Sequence, residues 1–286
     1  TYTRPSSNTT DGRNDTIILK VTVTDGDGDT AEQSVTVNTV AAPLFNDAPS
    51  GGSSVVTTDE GNIPGKGSQH ETPATQPFGA ATDGSFKMEL HGADATVTIG
   101  GTELKVENGK LYHNGVEVTA DAAVSVPGGA HGTLTVTGMD AGGTVHYTYT
   151  LTTPVDATGN ASNRPGEGDA GRGEAVHADA FDVTITTTGG TATGQITVDA
   201  LDDAPVLSTL DTTQTTVADG EAALTGTLSF TPGADAEGAQ VTVEVEGQTF
   251  TGTKGENGWM FTGGSDGSSF QLNGTAFTYT RPASNT

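Results

Sequence analysis

Three aspartates, Asp25, Asp27 and Asp29, stand at alternate positions in the stretch Val23–Gln33, VTDGDGDTAEQ, with a glycine between successive members. Carboxylates spaced by two in a glycine-rich turn can converge on one hard cation, and Ca²⁺ takes six to eight oxygen ligands. The stretch begins like an EF-hand loop, but its twelfth position is Thr36, inside an alternating apolar run, which excludes an EF-hand. The same residues also read as a polar hairpin turn, since Asp-Gly is common turn chemistry. Three carboxylates in one turn repel each other without a counter-ion, and that favours a metal. Two further sets of oxygen donors precede Ala-Pro: Asn46 and Asp47 in NDAP (Asn46–Pro49), and Asp202 and Asp203 in DDAP (Asp202–Pro205).

The elements that must hold these residues are strands. Apolar residues recur with period two in Asp15–Thr24, Gln33–Val40, Ala95–Val106, Gly132–Met139, Thr144–Leu151, Phe181–Thr188, Gly194–Leu201 and Gln240–Gly247. Val, Ile, Thr and Tyr dominate these runs and Gly/Asp/Asn clusters separate them, while no amphipathic helical pattern occurs. The expected fold is all-β and antiparallel, a sandwich with short strands and turns. Its alternating threonines read as solvated outer faces. The acidic loop then joins two antiparallel strands. Its counterpart in the later hairpin, Thr187–Thr191 (TTGGT), is about two residues shorter and carries no carboxylate.

Internal repetition organises the chain. The opening TYTRPSSNT (Thr1–Thr9) returns as TYTRPASNT (Thr278–Thr286), with a weaker echo in HYTYTLTTP (His146–Pro154). Ser7 against Ala283 marks the two ends as distinct copies. The chain is expected to comprise the C-terminal part of one repeat (1–49), a complete repeat (50–205) and the N-terminal part of a following repeat (206–286), a window on a longer tandem array. Residues equivalent to 1–49 would complete the third piece, because half a sandwich leaves a sheet face and strand edges uncovered.

Composition bounds the partners. With 36 acidic against 11 basic residues, a net charge of −25 and no cysteine, the chain repels nucleic acid and anionic lipid, and has neither disulfides nor thiol chemistry. No apolar run approaches the roughly 20 residues of a membrane-spanning helix, so no membrane insertion is expected. The six histidines all lie between His70 and His177, and none has the spacing of a zinc site. Neither a nucleophile elbow nor a phosphate-cradling glycine loop is present. An enzyme is not expected.

Strand, Asp25–Ala31 (DGDGDTA), strand and then Asn46–Pro49, with Asp202–Pro205 after the next such pair, resembles the Ig-like tandem repeats (VCBS type) of giant RTX adhesins and biofilm matrix proteins of bacteria, exported by type I secretion. The resemblance implies an elongated array of Ig-like β-sandwich repeats at the cell surface or outside the cell, adhesive and stiffened by Ca²⁺. Partners would be neighbouring repeats or further copies in a fibre, with matrix polysaccharide a further candidate. Topology adds a location for the metal. One strand carries the chain from loop to linker, so the loop lies at the pole opposite its own C-terminal linker, beside the linker entering its unit. That linker should be the Asp202–Asp203 type, and its aspartates would share the ion with the loop. The junction opposite the carboxylate-free turn, at Asn46 and Asp47, should bind calcium weakly or not through this loop. A self-assembling filament completed by neighbouring copies, and a glycan-binding module, are the alternative functions.

Overall fold

The computed structural model describes residues 16–24, 27–38, 40–46, 55–67, 79–155, 174–201, 203, 205–212, 223–234, 236–256, 258–265 and 267–281. Their regular structure is β throughout, apart from one 3-10 turn at Glu60–Asn62. The fold is that of antiparallel Ig-like sandwiches. The chain divides into two compact units. One is drawn from Thr1–Thr58, Ala81–Leu151 and Val176–Asp199, the other from Asp59–Ala80, Thr152–Ala175 and Ala200–Thr286.

In the first unit a hairpin of β1 (Thr16–Thr24) and β2 (Thr30–Asn38) forms a two-stranded sheet by itself. The sandwich proper begins with β3 (Leu44–Asn46) and β4 (Val55–Asp59), followed by β5 (Ala81–Glu89), β6 (Ala95–Ile99), β7 (Thr102–Glu107), β8 (Lys110–His113) and β9 (Val116–Glu117). It continues through β10 (Val124–Val126), β11 (Gly132–Met139), β12 (Thr144–Leu151), β13 (Glu174–Thr187) and β14 (Gly190–Leu201). One sheet runs β10-β11-β12-β5-β3 and the other β4-β14-β13-β6-β7-β8-β9. With β3, β5, β11 and β12 as strands A, B, D and E, and β6, β7, β13 and β14 as C, C′, F and G, this is the strand order of a variable-type immunoglobulin sandwich.

Period-two patterning explains the core. Val97, Ile99, Leu104, Phe181, Val183, Ile185, Ile196 and Val198 point inward from one sheet; Phe86, Leu134, Val136, Tyr147 and Tyr149 point inward from the other, all at most 1% exposed. Tyr149 meets Phe181 edge-on across the sheets at 6.3 Å. The alternating run Ala95–Val106 is two strands rather than one. Gly100 and Gly101, both at positive φ, turn it back so that Ile99 pairs with Thr102. Asn108-Gly109 and Asn114-Gly115 do the same for the next two hairpins, as the positive-φ turns of two-residue hairpins require.

In the second unit β15 (Val206–Asp211), β16 (Ala223–Thr231), β21 (Ala276–Thr280) and β20 (Ser269–Asn273) form one sheet in that order. β17 (Gln240–Val245), β18 (Gln248–Gly255) and β19 (Gly258–Gly263) form the other. Leu228, Phe250, Phe270, Phe277 and Tyr279 make the core, with Phe250 against Tyr279 at 5.9 Å and Phe261 against Phe270 at 4.8 Å. The only tryptophan, Trp259, lies in β19 and packs edge-on to Phe230 at 5.0 Å. The returning TYTR segment has a structural task here. Glu246 occupies a positive-φ turn position. Its carboxylate accepts from Arg281 Nε at 2.8 Å and from the Tyr279 hydroxyl at 3.2 Å, with a second Arg281 contact alongside.

Candidate junction and metal site

The acidic loop follows β1 directly, as expected. Asp27 and Asp29 are exposed, and Gly28 between them takes a φ of 100°; Asp25 lies outside the described residues. Across the hairpin Thr24 pairs with Thr30, which leaves five residues in the loop. On the polar face Lys20 Nζ lies 2.7 Å from Glu32, and the Thr22 hydroxyl donates to the same carboxylate at 3.0 Å. These two contacts, the lysine first, hold the Glu32 carboxyl below its usual range.

The counterpart turn has only two residues, Thr188 and Gly189, with the Gly189 N–H donating to the Thr187 hydroxyl at 3.1 Å. It packs on the segment that enters its own sandwich. A Cβ at Gly189 would lie 2.1 Å from the Ala41 carbonyl oxygen and 3.0 Å from that of Val40, and one at Gly190 would touch the Ala42 side chain. The β13–β14 turn thus meets the incoming segment at Val40–Ala42, ahead of Asn46 and Asp47, which the sequence reading placed opposite it.

The linkers themselves resolve differently from their sequence motifs. Asn46 is the last residue of β3, already inside the sandwich, and its amide donates to Glu89 on β5 at 2.8 Å; Asp47 lies outside the described residues. Because β3 opens its sandwich by pairing with β5 and β15 opens the next by pairing with β16, the counterpart of Asp203 is Ala41, three residues ahead of its strand in both cases. Asp203 is 6% exposed, whereas Asp202 lies outside the described residues.

Sequence reading missed the other buried carboxylates. Asp59 and Glu60 are fully buried. Asp59 caps the 3-10 turn by accepting from the Gly61 N–H at 2.8 Å, and Glu60 accepts from the Val155 N–H. Asp179, 6% exposed, accepts from the backbone of Ala130 at 2.6 Å, His131 at 3.2 Å and Gly132 at 3.0 Å, and from the Tyr149 hydroxyl. It ties the start of β13 to the loop before β11. The only visible signal is an acidic residue interrupting an alternating stretch, and such interruptions are common in a chain this acidic. Among the described residues no group of three or more His, Asp or Glu side chains is brought together. Asp27, Asp29 and Asp203 each carry the hard oxygen donors that Ca²⁺ prefers.

No family model and no curated protein matches this chain. Among solved structures, a chimeric titin Z1Z2 functionalised with an exogenous KLER peptide from decorin is 10% identical. That match covers 80% of this chain and 78% of its own, with a TM-score of 0.19. Domains 4–9 of the surface layer protein SbsC are 10% identical over 95% of this chain and 35% of theirs, with a TM-score of 0.21. At those scores the likenesses carry no functional argument, and the strand topology stands by itself.

Proposed function

We propose that this chain is a structural segment of a tandem Ig-like repeat protein, extracellular and at the bacterial surface or in its matrix. In this reading it serves cell adhesion and biofilm formation as a fibre or stalk, and Ca²⁺ stiffens some of its joints. The role is mechanical, with no catalytic step. One observation carries the reading: the β13–β14 turn packs on Val40 and Ala41, the segment entering its own sandwich. A repeat with the same topology but the Asp25–Asp29 loop, entered through Asp202 and Asp203, brings carboxylates to carboxylates at the equivalent position. Without a cation that joint is repulsive; with Ca²⁺ it closes. Joints of the Gly189 type close by backbone packing and need no ion. Stiffness would therefore alternate along the fibre between ion-dependent and ion-independent joints.

Calcium titration of two excised pairs of complete units tests this, one pair joined through Asp202–Pro205 and one through Val40–Pro43. At a hundredfold excess over its dissociation constant, Ca²⁺ stabilises the acidic joint by about 2.7 kcal/mol, which for a unit of this size raises Tm by several degrees. The other pair should not respond. Equal stabilisation of both would refute the reading.

A further inference from the structure

Two breaks in backbone regularity converge on one cavity at an end of the first sandwich. The cavity holds about 600 Å³, and its walls include Met88, His91, Val106, Asn108, Met139 and Gly143. The β5–β6, β7–β8 and β11–β12 connections enclose it, so its lining belongs to the complete sandwich. Two of the chain's three methionines and one of its six histidines therefore meet there.

The first break is a β-bulge in β11. Val136 pairs with Tyr147 but Gly138 pairs with His146, which leaves Thr137 as the extra residue. Without it, alternation from Leu134 and Val136 would turn Met139 outward. With it, Met139 pairs with the fully buried Val145, and paired residues share a face. Met88 reaches the same inward face from β5, two residues beyond the buried Phe86. The residue opposite Met88 is Gly143, whose carbonyl accepts from the Met88 N–H at 2.9 Å. No side chain stands there between the two thioethers. Bulges of this kind re-aim side chains and are over-represented next to functional sites.

The second break is the turn Leu90–Ala93, closed by the Ala93 N–H donating to the Leu90 carbonyl at 2.9 Å. His91 takes the first central position at a φ of 52°, followed by Gly92 at 80°. Asn108-Gly109 and Asn114-Gly115 fill the same two positions with asparagine, the residue that left-handed turns favour. Histidine thus stands where asparagine would serve the turn, and its Nε2 is shielded from solvent.

We propose that Met88, Met139 and His91 form a site for one Cu(I) ion. Soft thioether ligands select Cu(I), and imidazole suits copper as well. The oxygen donors at the rim are engaged in holding the fold. Asp94 accepts from the Asn108 N–H at 3.1 Å, and Glu89 accepts from the Asn46 amide at 2.8 Å. Among the described residues no group of three His, Asp or Glu side chains offers Ca²⁺ or Zn²⁺ a competing set. Copper capture goes beyond the mechanical role and does not rest on it.

Anaerobic titration of the full chain with Cu(I), buffered by a competing chelator, tests the site. One Cu(I) per chain is expected, with sulfur bound to the metal in X-ray absorption and a Tm raised on loading. Met139→Leu conserves volume and His91→Asn suits the turn, so both variants should keep the Tm of the metal-free chain. Each should weaken Cu(I) binding by roughly tenfold or more, and the two together should abolish it. Met88→Leu takes the place of either variant that lowers the metal-free Tm. No uptake, or copper bound by nitrogen and oxygen alone, would overturn the proposal. So would undiminished affinity in the double variant, which would put the copper on other histidines or on the exposed Met260.

Discussion

Two tyrosines of β12 show how differently one residue type can be used within a single strand. Tyr147 and Tyr149 are both buried in the same face. The Tyr149 hydroxyl donates to Asp179, and burial first, then Asp179, pushes its phenol above the usual range. The Tyr147 hydroxyl is buried without a hydrogen-bond partner, and burial alone pushes its phenol up. Its ring lies on Gly84, where a Cβ would approach to 2.4 Å. Tyr149→Phe takes one of four donors from a buried carboxylate and should cost about 1–3 kcal/mol, whereas Tyr147→Phe removes an unsatisfied group and should be neutral or stabilising. Thermal denaturation of the two variants reads the difference directly; equal losses would contradict the bonding described. Gly189→Ala is the sharper test of the joint. Its Cβ has nowhere to go against the Ala41 carbonyl, and forced overpacking costs about 1–3 kcal/mol. The change should weaken protection of the Val40–Pro43 segment in hydrogen exchange while sparing the amides of β11 and β12.

At the scale of elements, the same hairpin sequence pattern gives two outcomes. β13–β14 lies within a seven-stranded sheet, and β1–β2 stands as a pair. Each fully buried Val or Ile stabilises by about 1.5–3 kcal/mol relative to exposure, and an isolated hairpin is marginal in water. Amides of β1–β2 should therefore exchange far faster than those of β13–β14. Equally slow exchange of the two hairpins would contradict this difference in burial. The β11–β12 turn offers a pH-dependent element. Asp140 accepts from the N–H groups of Thr144 at 2.8 Å and Gly142 at 2.9 Å. The Thr144 bond first, against some burial, holds its carboxyl below the usual aspartate range. A lowered folded pKa means that this staple is fully formed above the ordinary aspartate range and is lost as pH falls through the lowered value. The Gly142 and Thr144 amide resonances should shift together in that acidic window, and Asp140→Asn should abolish the titration.

Charge dominates the behaviour of the whole molecule. A chain of net charge −25 repels its own copies at long range, and salt screens this over a Debye length of about 8–10 Å at physiological ionic strength. Any association of copies should therefore speed up as salt rises, the reverse of an interface between oppositely charged partners. Stopped-flow association of labelled copies across a salt series measures the slope, and a rate that falls with salt would show that local charge pairing outweighs the net charge. Ca²⁺ should act beyond its contribution to ionic strength if it binds at the Asp25–Asp29 loop. A magnesium control at equal ionic strength separates the two, because Mg²⁺ demands a tighter octahedral site and sheds water reluctantly.

Period-two alternation made the sandwich class legible, because in an antiparallel sheet the face a residue occupies follows from parity alone. The runs Gly132–Met139 and Thr144–Leu151 became β11 and β12 residue for residue. The position of the later hairpin's turn followed from counting strands, since one strand must cross from pole to pole. Tertiary structure alone decided the rest. Asn46 resembles Asp202 in its motif, yet it sits within β3, because strand pairing with β5 and not the Ala-Pro dipeptide defines where a unit opens. Asp59, Glu60 and Asp179 look like three more surface acids in a chain full of them, and their burial depends on donors as distant as Val155 and Ala130. The sequence by itself determined the β class and the inward face of the alternating runs. Which carboxylates are buried, and which residues the β13–β14 turn packs on, required the three-dimensional structure, because long-range contacts leave no mark on local periodicity.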